Sequence, residues 1–439
     1  MSKKKIKSVV LSAVMLLSVL PLGAQNEAYS AYTPYSMFGI GDISKQGTAY
    51  NKSMGGIGIA SRDKRHINYL NPASVTARED KSFMADFGLA QGNRIYSQGD
   101  IKSANNTFNL YDFVISFPVY KTFATYMGFT PYSSLGYSIS SEITDASIIG
   151  NTGNITSTAD GYGGMNNLFI GGGVKIFKGL NAGVEYEHLF GNIEKTYSQV
   201  FSNTSFRSLY SGYSMHLKSD VVKLGIQYEF PLSKSVTATL GATYKFSANL
   251  KGTVQDYEIS KISSVIDTSR NVITDLKKNK GLVKIASELG VGASLKGSDK
   301  WMVEVNYINS NWSDTGLDEV KGFANVGNAV FSASSYQSVR AGFSIVPNRN
   351  DIRYYRKRIT YRGGAYWDQA NCQLDGHNID AFGLTFGVTL PVIWSNGITL
   401  GMDVGQRGYN TDGMIRERYV NFNIGINVFD IWFLKPKYD

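Results

Sequence analysis

Histidine, cysteine and glycine are the residue types here whose spacing could serve catalysis, metal or phosphate. The chain has four histidines, His66, His188, His216 and His377, and one cysteine, Cys372. No two histidines stand at the i, i+4 interval that puts two imidazoles on one helix face, and no Gly-x-Ser-x-Gly elbow occurs. A lone histidine is usually structural or exposed. A hydrolase using a Ser–His pair at His188 or His377 is therefore kept only as a second alternative. One cysteine makes no intrachain disulfide and no cysteine-rich metal site. Met54-Gly55-Gly56-Ile57-Gly58 lacks the preceding strand and following helix that a phosphate loop needs. No metal and no cofactor are expected.

What remains is a set of charges at alternating positions: Glu185, Glu187, Lys223, Glu229, Lys245, Glu288, Glu304, Arg340, Arg362, Asp403 and Arg407. Their signs nearly balance, which fits paired networks around a plug. A one-signed ring would instead mark an ion-selective pore. Any single one could equally be a wet-side residue without a specific role.

The elements that carry these charges repeat with a period of two. Val420, Phe422, Ile424, Ile426 and Val428 alternate with Asn421, Asn423, Gly425 and Asn427. Phe382, Leu384, Phe386, Val388 and Leu390 alternate with Gly383, Thr385, Gly387 and Thr389. Val222, Leu224, Ile226, Tyr228 and Phe230 alternate with Lys223, Gly225, Gln227 and Glu229, and Val236 to Phe246 behaves likewise. Successive strand side chains point to opposite faces, so each segment has one oily and one wet face. The runs last about 9–11 residues or more, the length a tilted strand needs to cross a membrane. Ordinary soluble strands are about 5–6 residues. No segment beyond the leader holds 18 consecutive apolar residues, which excludes ordinary membrane helices.

The N-terminus reads as a secretory signal. Lys3, Lys4, Lys5 and Lys7 precede an apolar run from Val9 to Leu22, and Ala24 is the expected cleavage point. Cleavage there removes 24 of the 439 residues and leaves 415, more than one soluble core usually holds, with no linker in view. The net charge of +9 includes the four leader lysines, leaving +5. Lys and Arg are scattered, so nucleic acid is not an expected partner, whereas anionic lipid headgroups are. With 28 Tyr, 23 Phe and 46 Gly, the chain has the composition of a transmembrane barrel.

About 14 strands are expected, an even number as bacterial barrels require. They begin near Lys81, Asn105, Phe123, Met165, Leu180, Ser211, Ser235, Gly281, Lys300, Tyr336, Ile359, Asn378, Gly397 and Arg416. Tight turns at Lys121, Lys178–Gly179, Ser233–Lys234, Gly297–Asp299 and Ser395–Asn396 alternate with longer polar loops, the asymmetry of periplasmic and outer ends. The Pro347–Arg358 turn breaks the rule. It is long and carries Arg349, Arg353, Arg356, Lys357 and Arg358. Trp301, Trp367, Trp394, Trp432 and Phe433 fall where interface aromatics belong. The expected fold is thus an all-β, antiparallel transmembrane β-barrel in a Gram-negative outer membrane. Its divisions are a signal peptide (1–24), an N-terminal hatch segment (25–80), the barrel (81–433) and a periplasmic tail (434–439).

Gln25 to Asp80 does not alternate and is rich in small residues. Its "SMGGIGIASRD" and its "NPAS" tetrapeptide, followed by about 14 strands, resemble the FadL/TodX-type outer-membrane transport family in the divergent form common in Bacteroidetes-like bacteria. Ser74 departs from the family's usual "NPAG". The resemblance implies a hatch folded inside the barrel, containing Asn71, Pro72 and Ala73, and uptake of hydrophobic, fatty-acid-like compounds. It also implies a kinked third strand opening the wall sideways, with Pro131 and Gly136 flanking the opening; proline donates no ladder hydrogen bond. A simple bulge at Pro131 is the competing reading. A greasy pocket would draw on inward residues such as Phe169, Phe177 or Tyr366. The alternative function is an accessory barrel, a subunit or docking platform of an envelope secretion or assembly machine, with the basic Pro347–Arg358 turn as its docking point.

Overall fold

The alternating segments close into a cylinder. The computed structural model describes residues 32–120, 122–262, 265–324, 330–392, 395–411 and 413–431. The leader, residues 25–31, the Lys121 turn, Trp394, Trp432, Phe433 and the tail lie outside them. Fourteen strands form the wall. They are β1 Ser82–Gln98, β2 Ile101–Tyr120, β3 Phe123–Ile143, β4 Ile155–Phe177, β5 Leu180–Phe201, β6 Ser208–Pro231 and β7 Val236–Lys245. The second half is β8 Glu288–Gly297, β9 Trp301–Ser310, β10 Tyr336–Ile345, β11 Thr360–Leu374, β12 His377–Val392, β13 Ser395–Arg407 and β14 Arg416–Ile431. Each pairs antiparallel with its neighbours, and β14 closes on β1 from Ser82↔Ile431 to Ser97↔Arg416.

Closure leaves one apolar skin and one polar lining. Val184 on β5, Leu224 and Ile226 on β6, Leu240 on β7, Val305 on β9, Phe382, Leu384 and Phe386 on β12 and Phe422 and Ile424 on β14 are all exposed outward. In water such a continuous apolar belt would be untenable. Its height of about five alternate residues per strand matches the roughly 25 Å hydrocarbon band of outer-membrane barrels.

All the expected strands exist, with two displaced starts. The fourth begins at Ile155, not Met165, and the eighth at Glu288, not Gly281. The segment Ile155–Gly164 rises above the membrane where both faces are wet, so it shows no oil–water alternation. A further hairpin, Lys251–Ile262 with Val265–Asp275, stands outside the fourteen strands that the alternation predicts. Its first strand pairs with the upper half of β6, Lys251↔Lys218 to Lys261↔Ser208, and extends the outer wall.

The outer mouth is closed by side chains. Tyr35, Phe38 and Ile40 pack with Trp312, Leu317 and Phe323 from the β9–β10 loop and with Val283 and Ile285 from the β7–β8 connection.

Candidate functional site

The hatch occupies the lumen as a series of short turns. Thr33 caps the turn Pro34–Met37, a two-residue strand Asp42–Ile43 follows, then a helical turn Ala49–Lys52, then a second capped turn Pro72–Ala77. Asn71 caps that last turn by accepting from the Ala73 amide at 3.0 Å. Its amide nitrogen donates to the Ile59 carbonyl of the hatch (2.8 Å) and the Ile226 carbonyl of the wall (3.2 Å). Pro72 takes the first position of the turn, where no amide donor is needed. The tetrapeptide is therefore a joint between hatch and barrel.

Wall glycines make room for it. Gly173, Gly183 and Gly225 are register partners on β4, β5 and β6. A Cβ on Gly183 would lie 2.4 Å from the Pro72 carbonyl carbon, and one on Gly225 2.1 Å from Asn71 Oδ1. Farther round, Gly241 meets Ile59, Gly342 and Gly364 meet Met54, Gly387 and Gly401 meet Ser53, and Gly425 meets Ala49. The hatch thus rests on glycine seats around much of the inner wall. Gly55 of the hatch shows the reciprocal fit: its φ is +72°, and a Cβ would lie 2.9 Å from the carbonyl oxygens of both Ala341 and Ala365.

Charges complete the attachment. Glu229 pairs with Arg62 at 3.2 Å, Arg407 with Asp42 at 2.8 Å, and Glu304 accepts from the Ala60 amide at 2.9 Å. Arg340 donates to the Gly56 carbonyl at 3.1 Å, and the Arg362 guanidinium lies 4.3 Å from the Tyr50 ring centre. Asp403 accepts from Tyr366 at 2.8 Å, and Glu288 stands opposite Lys245 in register. Lys223 pairs with Glu185, lies 3.7 Å from Glu187, and donates to the Tyr69 carbonyl of the hatch at 3.2 Å. Lys245 is 3.8 Å from Glu187. Replacing Lys223 by Met would leave the buried Glu185 carboxylate without its cation and Glu187 with Lys245 alone, and breaking a buried pair costs about 3–5 kcal/mol. The expected result is a lower unfolding midpoint in detergent; an unchanged midpoint would show that the carboxylates find other partners.

The wall is breached on one side. The β2–β3 ladder runs only from Tyr120↔Phe123 to Phe113↔Phe129. Beyond it β2 keeps β1 and β3 keeps β4, but not each other. Two bulges sit at the break: Tyr111 is the extra residue opposite β1, and Tyr132 the extra residue opposite β4. The hatch covers the freed edge of β3. Asp42–Ile43 pairs with Ser134–Ser133, the Thr33 amide donates to the Gly136 carbonyl at 2.8 Å, and Gln46 donates to the Pro131 carbonyl at 3.0 Å. In a strand the N and O of one residue point the same way, so the donor Pro131 lacks would also have faced this edge. Residues Tyr132 to Tyr137 are buried along the whole run, which fits a strand leaning into the lumen.

Behind the breach lies a cavity of about 1150 Å³. Lys45, Lys52, Tyr111, Tyr366, Asp403 and Arg407 line its inner part, and Leu110, Phe129 and Phe190 its outer part. Lys45 pairs with Asp368 at 2.8 Å and stands 3.1 Å from the Tyr366 ring centre; Lys52 stands 4.1 Å from that of Tyr111. Phe169 and Tyr366 are buried inward as expected, but Phe177 is not: it is 60% exposed. A register shift between Lys175 and Phe177 turns it outward. Neither histidine considered for hydrolysis meets a serine among the described residues. His188 bonds Asp220 at 2.8 Å on the outer face, and His377 sits exposed at the β11–β12 turn.

This architecture is similar to that of solved hydrocarbon channels. The toluene transporter TodX of Pseudomonas putida is 12% identical, with 90% of this chain and 100% of that chain covered and a TM-score of 0.54. The toluene transporter TbuX of Ralstonia pickettii is 13% identical, covering 88% and 98%, with a TM-score of 0.54. The monoaromatic hydrocarbon channel CymD is 11% identical, covering 89% and 98%, with a TM-score of 0.52. The FadL/TodX-type fold expected from the sequence is thereby borne out, and with the apolar belt it places the chain in the outer membrane. No curated protein matches. The model of one family, BamG, matches residues 4–439, nearly the full length, and the chain accordingly belongs to the BamG family.

Proposed function

We propose that this barrel is a channel for hydrophobic compounds that leave or enter through the β2–β3 breach rather than along the barrel axis. The carrying observation is the single cavity that reaches from the hatch-side lysines past Pro131 to Phe129 and Phe190 at the outer face. The axial route is closed at the outer mouth by Phe38, Trp312, Leu317 and Phe323. A sideways route would hand an oily compound from lumen to hydrocarbon without crossing water. The aromatic walls at Tyr69, Tyr111, Tyr366 and Tyr419 suit an apolar body, and Lys45 and Lys52 suit a polar or anionic end. A fatty-acid-like amphiphile has that shape. Pro131 and Gly136 flank the opening in this reading, with Asn71, Pro72 and Ala73 anchoring the hatch below.

One observation favours a second reading, an accessory subunit of an envelope machine. At the periplasmic end the Pro347–Arg358 turn holds Ile352 fully exposed between Arg349, Arg353, Arg356 and Lys357. An exposed apolar tip flanked by cations suits a protein contact. Native mass spectrometry of the detergent-purified protein separates the two. A bound hydrophobic ligand on a lone chain is the result expected for the channel. Stoichiometric co-purifying subunits with an empty lumen would overturn it in favour of the second reading.

A further inference from the structure

Above the hydrocarbon belt, strands β3 to β6 and the first strand of the outer hairpin bend along one line. Ser134, Gly164, Asn192, His216 and Thr253 form one register row, and Ser133, Met165, Gly191, Leu217 and Gly252 the next. Glycine recurs at the fold. Gly164 and Gly252 have φ of +147° and +141°, and a Cβ on Gly191 would fall 2.0 Å from the Gly164 carbonyl oxygen. The cavity behind the breach extends outward along this line as a groove bordered by Phe190, Asn192, His216, Lys218 and Lys277.

The groove carries unbalanced positive charge. Lys218 stands directly opposite Lys251 in register, an arrangement that destabilises a strand pair unless an anion lies between. The nearby carboxylate, Asp220, is already shared: it accepts from Tyr186 at 2.7 Å, bonds His188 at 2.8 Å and pairs with Lys251 at 2.9 Å. Among the described residues no carboxylate lies within 4.0 Å of the Lys218 or Lys277 ammonium. Directly below, Val222, Leu224 and Ile226 open the lipid-facing belt. Cations at this height stand where outer-leaflet headgroups lie.

We infer that Lys218, Lys251 and Lys277 bind the phosphate of a phosphorylated glycolipid of the outer leaflet, whose acyl chains lie on Val222 and Leu224. Ammonium groups suit phosphate as compact point charges, and the apolar belt supplies the surface for the tails. The site does not depend on whether anything passes the breach.

The test uses the full chain in phosphatidylcholine nanodiscs doped with phosphorylated lipid A, with retained lipid counted by native mass spectrometry. The Lys218→Gln/Lys251→Gln/Lys277→Gln variant should bind the lipid roughly a hundredfold more weakly, given the contribution of each lysine near an anionic surface. The corresponding triple Arg variant should bind as the parent does. Lys178→Gln/Lys234→Gln/Lys300→Gln, an equal charge loss at the other end of the barrel, should change nothing. Equal retention by the parent and the triple Gln variant would overturn the assignment, as would equal retention of dephosphorylated lipid A. Inorganic phosphate should compete only in large excess; displacement at equimolar phosphate would overturn the lipid in favour of the free ion.

Discussion

Gly183→Leu combined with Gly225→Leu should turn a quiet barrel into a conducting one. Both glycines face inward on adjacent strands, and both are filled by Asn71-Pro72 of the hatch, with wall-to-hatch approaches of 2.4 and 2.1 Å for a single added carbon. Neither neighbour is the free end of a flexible side chain. Pro72 offers its main-chain carbon, and the Asn71 side chain is held by four hydrogen bonds. The strands are fixed by ladders on both sides, so the hatch must give way. Overpacking costs about 1–3 kcal/mol per site, and here it also removes the Asn71 cap and its bond to Ile226. Without its anchor the hatch loses its fixed seat, and the mouth cluster loses Tyr35, Phe38 and Ile40, which the hatch supplies. A barrel of about this strand number encloses a water-filled lumen when unplugged. Single-channel conductance in planar bilayers should rise roughly tenfold or more above the parent's background. Gly172→Leu, which meets Phe123 on the lipid face of β4, should stay silent. A heat-modifiable, correctly folded double variant with no added conductance would show that the hatch holds without the Asn71-Pro72 seat.

The contrast between Gly225 and Gly173 on one hand and Leu224 and Ile226 on the other explains what could be read beforehand. The outward residues face a uniform solvent, hydrocarbon, so their chemistry repeats and the wall is legible strand by strand. The inward residues face the hatch, a unique surface that repeats nothing. Gly225 and Gly425 therefore read as polar-face fillers, although they meet Asn71 and Ala49. A signal was present: Gly173, Gly183 and Gly225 fall at equal depth on successive strands, and only the pairing register reveals it. The interruption of the β2–β3 ladder was legible in part. Pro131 marked the third strand, but the companion bulge at Tyr111 has an ordinary residue and no mark. The Lys251–Asp275 hairpin was lost for a different reason: it stands in water on both sides, so no face is selected for oil. The Phe177 error came from extending a perfect period through a register shift, which no alternation count can detect.

A reversible cross-link between hatch and wall decides whether the breach opens by hatch movement. Ile43 and Ser133 are direct partners across the short Asp42–Ile43 pairing. Opposed residues in antiparallel strands have Cα atoms about 4.5–5.5 Å apart, inside the range a disulfide spans. The background carries Cys372→Ser, since the native thiol is buried in the mouth cluster. If cargo passes sideways, the Asp42–Ile43 strand is the obstacle, because it occupies the β3 edge between Pro131 and Gly136. Two ladder residues, the Thr33–Gly136, Ser44–Tyr132 and Gln46–Pro131 bonds and the Asp42–Arg407 pair hold it there. Such a short pairing is of the kind that opens locally without unfolding the barrel. Locking Ile43→Cys to Ser133→Cys should cut uptake of a hydrophobic probe into proteoliposomes by at least about tenfold, because the cross-link removes the open state from the population. Dithiothreitol should restore it, which separates locking from damage by the substitutions. Full uptake with the cross-link formed would mean that the hatch strand is part of the fixed wall. Cargo would then have to slip between Tyr111 and Phe129 past an immobile hatch, and the aromatic rim alone would set which compounds pass.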